Sequence, residues 1–110
     1  MLPAPAQPPI EVTSSEWAIV AAILRRHVPA CPVWAFGSRA TRSAKPYSDL
    51  DLAIVTPAPM SLALSAALAD DFAESDLPFK VDVVDWATSS EAFRKVIERD
   101  RVVLQDGVGV

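Results

Sequence analysis

Two aspartates, Asp49 and Asp51, flank a single leucine at the start of the apolar run 49–55, DLDLAIV. Such a run is typical of a β-strand, in which residues i and i+2 point to the same face. Two carboxylates held that close repel each other strongly unless a cation neutralises them. Their oxygen atoms favour magnesium or calcium over zinc. A pair of this kind is more often a solvated strand edge than a metal site, so its interpretation depends on the neighbouring residues.

A second feature, Gly37-Ser38, follows the short apolar run 33–36, and ten residues separate Ser38 from Asp49. Glycine lets a backbone approach a ligand closely, and a serine hydroxyl together with exposed N–H groups can hold phosphate oxygens. The same loop also contains three cations: Arg39, Arg42 and Lys45. A triphosphate that carries magnesium needs both carboxylates and phosphate-binding groups, so the combination indicates a metal–nucleotide site.

A third carboxylate lies in the β-branched run 80–86, KVDVVDW, which predicts another strand. Asp82 stands between Val81 and Val83 and therefore points away from both of them. Together with the first two aspartates it gives three carboxylates on adjacent strands, the ligand set of a two-metal site. Asp85 is three residues further along and should face the other side, so we expect a structural role for it.

The elements that must position these residues follow from the apolar periodicity. A capping box at 13–16 and helical spacing predict a helix that ends at His27. Further helices are predicted at 61–74 and from Ser89 or Ser90 to about residue 100, and the tail after residue 101 is ambiguous between a short strand and a frayed end. The loop between the first two strands is too short for a helical crossover, which predicts an antiparallel pair. We therefore expect an α/β (α+β) fold, a small mixed sheet with flanking helices.

The length and composition predict one globular domain. The chain has 110 residues, of which 51% are apolar and 22% charged. The proline-rich residues 1–12 are predicted to form a flexible arm, and residues 13–110 the folded domain.

Charge and residue usage exclude several classes of protein. The net charge of −4 argues against direct nucleic-acid binding, which needs clustered cations. A zinc site or a histidine-based triad cannot be assembled from one histidine, His27, and one cysteine, Cys31. The N-terminus lacks the features of a signal peptide, and apolar runs stay well short of the ~20 residues of a membrane span. We expect a cytoplasmic protein without a membrane partner.

The pattern Gly37-Ser38, ten residues, then Asp49-Leu50-Asp51 resembles the G-S-x10-D-x-D motif of the DNA polymerase beta-like nucleotidyltransferase superfamily. The chain resembles its minimal nucleotidyltransferase branch over roughly residues 15–100, which implies the polymerase beta-like palm fold. By position, the resemblance implies that Asp49, Asp51 and Asp82 are catalytic and bind two magnesium ions, or manganese. It also implies that ATP is the substrate and that its phosphates are held by the following residues: Gly37, Ser38, Arg39 and Arg42. Many relatives continue G-S-R-A-R-G, whereas here the second arginine is displaced by one position and no glycine follows.

The same resemblance implies a partner. Minimal transferases of this size typically accompany an all-helical HEPN-type ribonuclease toxin, and as its antitoxin they attach AMP to a tyrosine hydroxyl of the toxin. Two alternatives stay open at this stage. An inactive transferase fold could silence a toxin by binding alone, although the three intact aspartates argue against that reading. A small-molecule nucleotidyltransferase is the other alternative, although such relatives are longer and carry a second domain.

Overall fold

The computed structural model describes residues 7–107 of the chain. Its helices and strands follow one another in this order: α1 (Ser14–His27), β1 (Pro32–Phe36), α2 (Ser38–Thr41), β2 (Leu50–Ile54), α3 (Leu62–Glu74), β3 (Val81–Asp85), α4 (Glu91–Asp100) and β4 (Val102–Asp106). A single 3-10 turn, Trp86–Thr88, joins β3 to α4.

The helices begin at side-chain caps that the sequence contains. In α1 the N–H of Glu16 donates to Oγ1 of Thr13 over 3.1 Å, and Oε1 of Glu16 accepts from the N–H of Thr13 over 2.8 Å. This is the predicted capping box, in which two otherwise unpaired donors are satisfied reciprocally. Ser61 and Ser90 cap α3 and α4 in the simpler way, because each hydroxyl accepts from a main-chain N–H three residues on.

The four strands form one mixed sheet in the order β3-β2-β1-β4. Strand β1 is antiparallel to both of its neighbours, and β2 is parallel to β3 through the crossover helix α3. The predicted antiparallel pair and the predicted mixed sheet with flanking helices are both confirmed. The ambiguous tail is a strand, β4, because the free edge of β1 offers it a row of hydrogen-bonding partners.

Alternation along β2 divides its side chains between two different layers. Leu50, Leu52 and Ile54 are fully buried in the main core, which α1 and α3 cover. The opposite face carries Asp51 and Ala53, and there Ala53 packs with Phe36 and with Ile97 of α4 in a smaller cluster. The main core thus holds β2 rigidly from one side and leaves its acidic positions on the other side.

The prediction of a flexible arm over residues 1–12 is wrong for the end of that segment. Ile10 is fully buried in the main core, and Val12 packs against the same cluster. Burying an isoleucine side chain stabilises the fold by roughly 1.5–3 kcal/mol, which offsets the loss of chain entropy of about 1–2 kcal/mol for ordering the residue. The folded domain therefore includes residues before 13, while residues 1–6 of the predicted arm lie outside the described residues.

Within residues 7–107, every helix is too short or too polar to cross a membrane.

Candidate active site

The carboxylates of two neighbouring strands meet on the sheet face that bears α4. Asp51 in β2 is paired in register with Asp82 in β3, and the parallel alignment places both side chains on the same face. Asp49 lies in the loop immediately before β2. Asp51 is partly buried, whereas Asp49 and Asp82 are exposed. The structure thus pairs Asp51 with Asp82 and places Asp49 just before β2, not within the strand as the sequence predicts.

The electrostatics of Asp51 show that the three acids interact. Burial, followed by the negative charges of Asp82 and Asp49, raises the pKa of Asp51 from 3.8 to about 6. Each cause disfavours the charged form of the carboxyl, and a bound cation would counteract them by favouring the charged form.

The donor set of this cluster fits a hard divalent cation. All three side chains offer oxygen, and Mg²⁺ and Mn²⁺ prefer oxygen ligands. Across residues 7–107 no three side chains already converge as a preformed metal site. Asp49, Asp51 and Asp82 therefore fit such an ion by the chemistry of their oxygens and by their place in and beside the paired strands β2 and β3.

Gly37, the first residue of the predicted phosphate-binding motif, lies against Asp51. It has a positive φ of 77°, and a Cβ built on it would overlap Oδ2 of Asp51 and lie 3.3 Å from Cγ of Asp51. Phe36, the preceding residue, is the register partner of Asp51 in the β1–β2 pair. Only glycine fits here, because any side chain would both strain the backbone and displace the carboxylate.

A further acid, which the sequence analysis missed, contacts the same glycine. The carboxylate of Asp100, the last residue of α4, accepts from the N–H of Gly37 over 3.3 Å. Arg99 also donates to Asp100, and these contacts, the arginine first, lower the pKa of the Asp100 carboxyl. Asp100 is separated from Gly37 by 63 positions in the chain, so no local pattern could have identified the contact.

Ser38 and Arg42 lie at the two ends of the one-turn helix α2. Ser38 is its first residue and directly follows Gly37, and it is only partly buried. Arg42 ends the turn in the left-handed region at φ 60°, and its exposed side chain donates from Nη2 to the carbonyl of Pro8 over 2.9 Å. Both residues remain candidates for holding phosphate.

Arg39 does not fit the predicted phosphate-binding role. Its side chain is only 6% exposed, and its guanidinium lies 4.0 Å from the centre of the Phe79 ring. All three guanidinium nitrogens donate to main-chain carbonyls, over 2.8–3.1 Å, and the acceptors are Ser48, Glu11 and Pro46. The five donors of a guanidinium suit a set of fixed carbonyls, so this arginine orders the loop that leads to Asp49.

Asp85 takes the structural role that its position in the strand predicts. Its Oδ1 accepts from the N–H of Met60 over 3.1 Å, and its carbonyl accepts from the hydroxyl of Ser89 over 2.8 Å. These contacts tie the end of β3 to the segment that precedes α3 and to the turn that follows β3.

A cavity of about 380 Å³ lies elsewhere, beside α3 and the start of β3. Phe72, Leu77 and Phe79 are among the residues that line it, and Asp49, Asp51 and Asp82 are not. Nucleotide chemistry needs charged and polar groups around the phosphates, so we assign the site to the acidic face and not to this cavity.

Comparison with known proteins finds a matching family and a related sequence. Residues 20–106 match the family described as Polymerase beta, Nucleotidyltransferase. A relative from Haemophilus influenzae, named probable protein adenylyltransferase MntA, is 50% identical over 97 residues, which cover 88% of this chain and 85% of the relative.

Solved structures share the fold at low sequence identity. A crystal structure of a toxin–antitoxin with AMP-PNP superposes with a TM-score of 0.65 at 22% identity, covering 84% of this chain and 73% of that one. A mutant of the toxin–antitoxin MntA–HpeT gives a TM-score of 0.67 at 22% identity, covering 87% and 74%. A tri-AMPylated Shewanella oneidensis HEPN toxin in complex with an MNT antitoxin gives 0.57 at 22% identity, covering 83% and 67%.

Proposed function

We propose that this chain, which belongs to the polymerase beta nucleotidyltransferase family, is a metal-dependent transferase that moves AMP from ATP to a hydroxyl of a partner protein. The observation that carries the proposal is the acidic cluster itself. Asp51 lies beside Asp82 on one sheet face, Asp49 acts on the same carboxyl, and Gly37 packs directly against Asp51. Phosphate-binding and cation-binding groups are therefore adjacent, as a metal–triphosphate substrate requires.

In this proposal one set of residues binds the phosphates of ATP and another binds the metal ions. Gly37 and Ser38 hold the phosphates by backbone and hydroxyl groups, with Arg42 as a nearby cation. Asp49, Asp51 and Asp82 would hold two Mg²⁺ or Mn²⁺ ions, which supply positive charge to the triphosphate when bound. Asp82 is exposed at the outer strand and accessible to an acceptor.

The transfer breaks a phosphoanhydride bond of ATP and forms a phosphoester bond to the acceptor. The acceptor oxygen attacks the α-phosphorus of ATP, the bond between that phosphorus and the bridging oxygen breaks, and pyrophosphate leaves. The hydroxyl proton passes to a carboxylate of the cluster, for which the exposed Asp82 is best placed. The rate depends on holding the hydroxyl in line with the breaking bond, which a partner docked against this face would achieve.

We propose a HEPN-type helical toxin as the partner and an antitoxin role for the chain. The support is the name of the 50% identical relative, a protein adenylyltransferase, together with the toxin complexes that share the fold. An adenylate added to a toxin hydroxyl brings negative charge and bulk to its surface, which would block RNA binding.

The experiment is co-expression of the chain with a HEPN-type toxin, followed by mass spectrometry of the toxin. We expect a mass increase by one or more adenylates with the wild type, and none with the variant in which Asp49, Asp51 and Asp82 are all alanine. Asp85→Asn serves as the matched control, because Asp85 lies in the same strand as Asp82 but outside the cluster.

The second candidate, a transferase fold that neutralises by binding alone, is tested by the same samples. An unmodified toxin that the triple variant still neutralises fully would favour it. In purified form, we expect Mg²⁺ or Mn²⁺ to support transfer and Zn²⁺ not to, since the ligands are carboxylates. Transfer that persists in EDTA would contradict the metal-dependent proposal.

A further inference from the structure

The segment before α1 is bound to the loop that contains the phosphate-binding groups. Glu11 contacts this loop through three different atoms. Its N–H donates to the carbonyl of Arg39 over 2.8 Å, and its own carbonyl accepts from Nη1 of Arg39 over 2.8 Å. Its carboxylate oxygen Oε1 accepts from the N–H of Ala44 over 3.1 Å.

Residues next to Glu11 attach the same segment to the domain core and to the loop. Ile10 is fully buried in the main core and anchors the segment to the domain. Pro8 accepts from Arg42 over 2.9 Å, so a second residue of the segment contacts the same loop. The segment is therefore tied at three positions, and the loop between Ser38 and Asp49 is held from outside the β1–β2 pair.

We propose that Glu11 is a positioning residue for nucleotide binding, acting through Ala44 and Arg39 on the loop that carries Ser38 and Arg42. The inference rests on the proposed function for its consequence in catalysis. The physical reason is that the single turn α2 is the only regular element in this loop. The other loop residues therefore need hydrogen-bonding partners elsewhere to hold one conformation. A prepositioned loop binds phosphates without having to be ordered first.

The carboxylate and main-chain contacts of Glu11 can be separated by substitution. Glu11→Ala removes only the acceptor for the Ala44 N–H, and the two main-chain contacts with Arg39 remain. Glu11→Gln keeps an oxygen at Oε1, so it should preserve the bond to Ala44. Glu74→Ala, at the exposed last position of α3, is the matched control.

We expect Glu11→Ala to raise KM for ATP by about fivefold, the loss of about one hydrogen bond, with kcat changed less than twofold. Glu11→Gln and Glu74→Ala should retain the wild-type KM. A general loss of folded protein would lower the apparent kcat and leave KM unchanged. An unaltered KM in Glu11→Ala, or equal effects of the alanine and glutamine variants, would overturn the proposal.

Hydrogen exchange of the Ala44 amide gives a second readout that requires no catalysis. In the full-length chain we expect its protection to fall in Glu11→Ala and to persist in Glu11→Gln. Titration with a non-hydrolysable ATP analogue and Mg²⁺ then tests nucleotide affinity directly. A wild type that fails to bind the analogue would count against the proposed function alone, whereas unchanged Ala44 protection in Glu11→Ala would count against the positioning role alone.

Discussion

Asp51 in β2 and Asp82 in β3 are register partners across two parallel strands, and the partly buried Asp51 carries the perturbed carboxyl. The main core fixes β2 from its other face, so these acids cannot move apart freely. The sheet thus holds like charges together. In the proposed function, a bound cation would neutralise these carboxylates and the triphosphate.

Replacing Asp51 by asparagine should make the free energy of unfolding less dependent on pH. Burial and the neighbouring acids raise the pKa of Asp51 from 3.8 to about 6 in the folded chain. Between these two values the folded state holds more protons than the unfolded state, so the free energy of unfolding falls as the pH rises through this window. Asp51→Asn should lack that decline.

The measurement is urea unfolding in EDTA at about pH 4 and about pH 7, comparing wild type, Asp51→Asn and the exposed Asp70→Asn as control. We expect Asp51→Asn to be more stable than the wild type at the higher pH and to have lost transfer activity. A variant with the wild-type pH dependence would show that Asp51 has no raised pKa.

The two aspartates of β3 should differ sharply in catalysis. Asp82→Asn should slow transfer on the order of 10³-fold, because it removes a proposed metal ligand and proton acceptor and leaves the fold unaltered. Asp85→Ala should cost about 1 kcal/mol of stability through the lost bond from Met60 and leave the rate nearly unchanged. Steady-state kinetics and thermal unfolding of both variants check this, and reversed effects would refute the assignment.

Substitutions at Arg39 and Arg42 should affect different quantities, the first the stability of the fold and the second the affinity for ATP. Arg39→Lys leaves carbonyls of the loop without donors and should destabilise the fold by roughly 1–3 kcal/mol. Arg42→Ala, at an exposed position, should change stability by about 0.5 kcal/mol or less and should raise KM for ATP. Denaturant unfolding combined with ATP titration distinguishes the two roles. A stable Arg39→Lys variant with weakened ATP binding would restore Arg39 as a phosphate ligand.

Gly37→Ala should abolish transfer even though the change is one methyl group. The added Cβ would overlap Oδ2 of Asp51, and alanine at φ 77° costs about 1 kcal/mol or more of backbone strain. Ser38→Ala is the comparison, because it removes a hydroxyl without a new contact and should weaken ATP binding only. Transfer rates and melting temperatures of the two variants test this, and a fully active Gly37→Ala protein would contradict the close approach.

The sequence by itself determined that Asp51 and Asp82 lie on strands and on the same face as each other. Alternation with a period of two puts Asp51 and Asp82 opposite the buried leucines and valines, and this regularity is local, so a short run of residues reveals it. The place of Asp85 was predictable for the same reason, and the antiparallel β1–β2 pair was predictable from the short loop that joins the two strands. The spacing of Gly37-Ser38 to Asp49-Leu50-Asp51 gave the family, which the comparisons confirm.

Only the tertiary structure decided which polar residues turn inward. Arg39 is a surface loop cation by sequence, yet the carbonyls of Glu11, Pro46 and Ser48 surround its guanidinium. The contact of Asp100 with Gly37 and the burial of Ile10 were equally hidden, since each joins segments far apart in the chain. Such contacts depend on how β4, α4 and the first residues pack around the sheet, and residue type and local spacing carry no information about that packing.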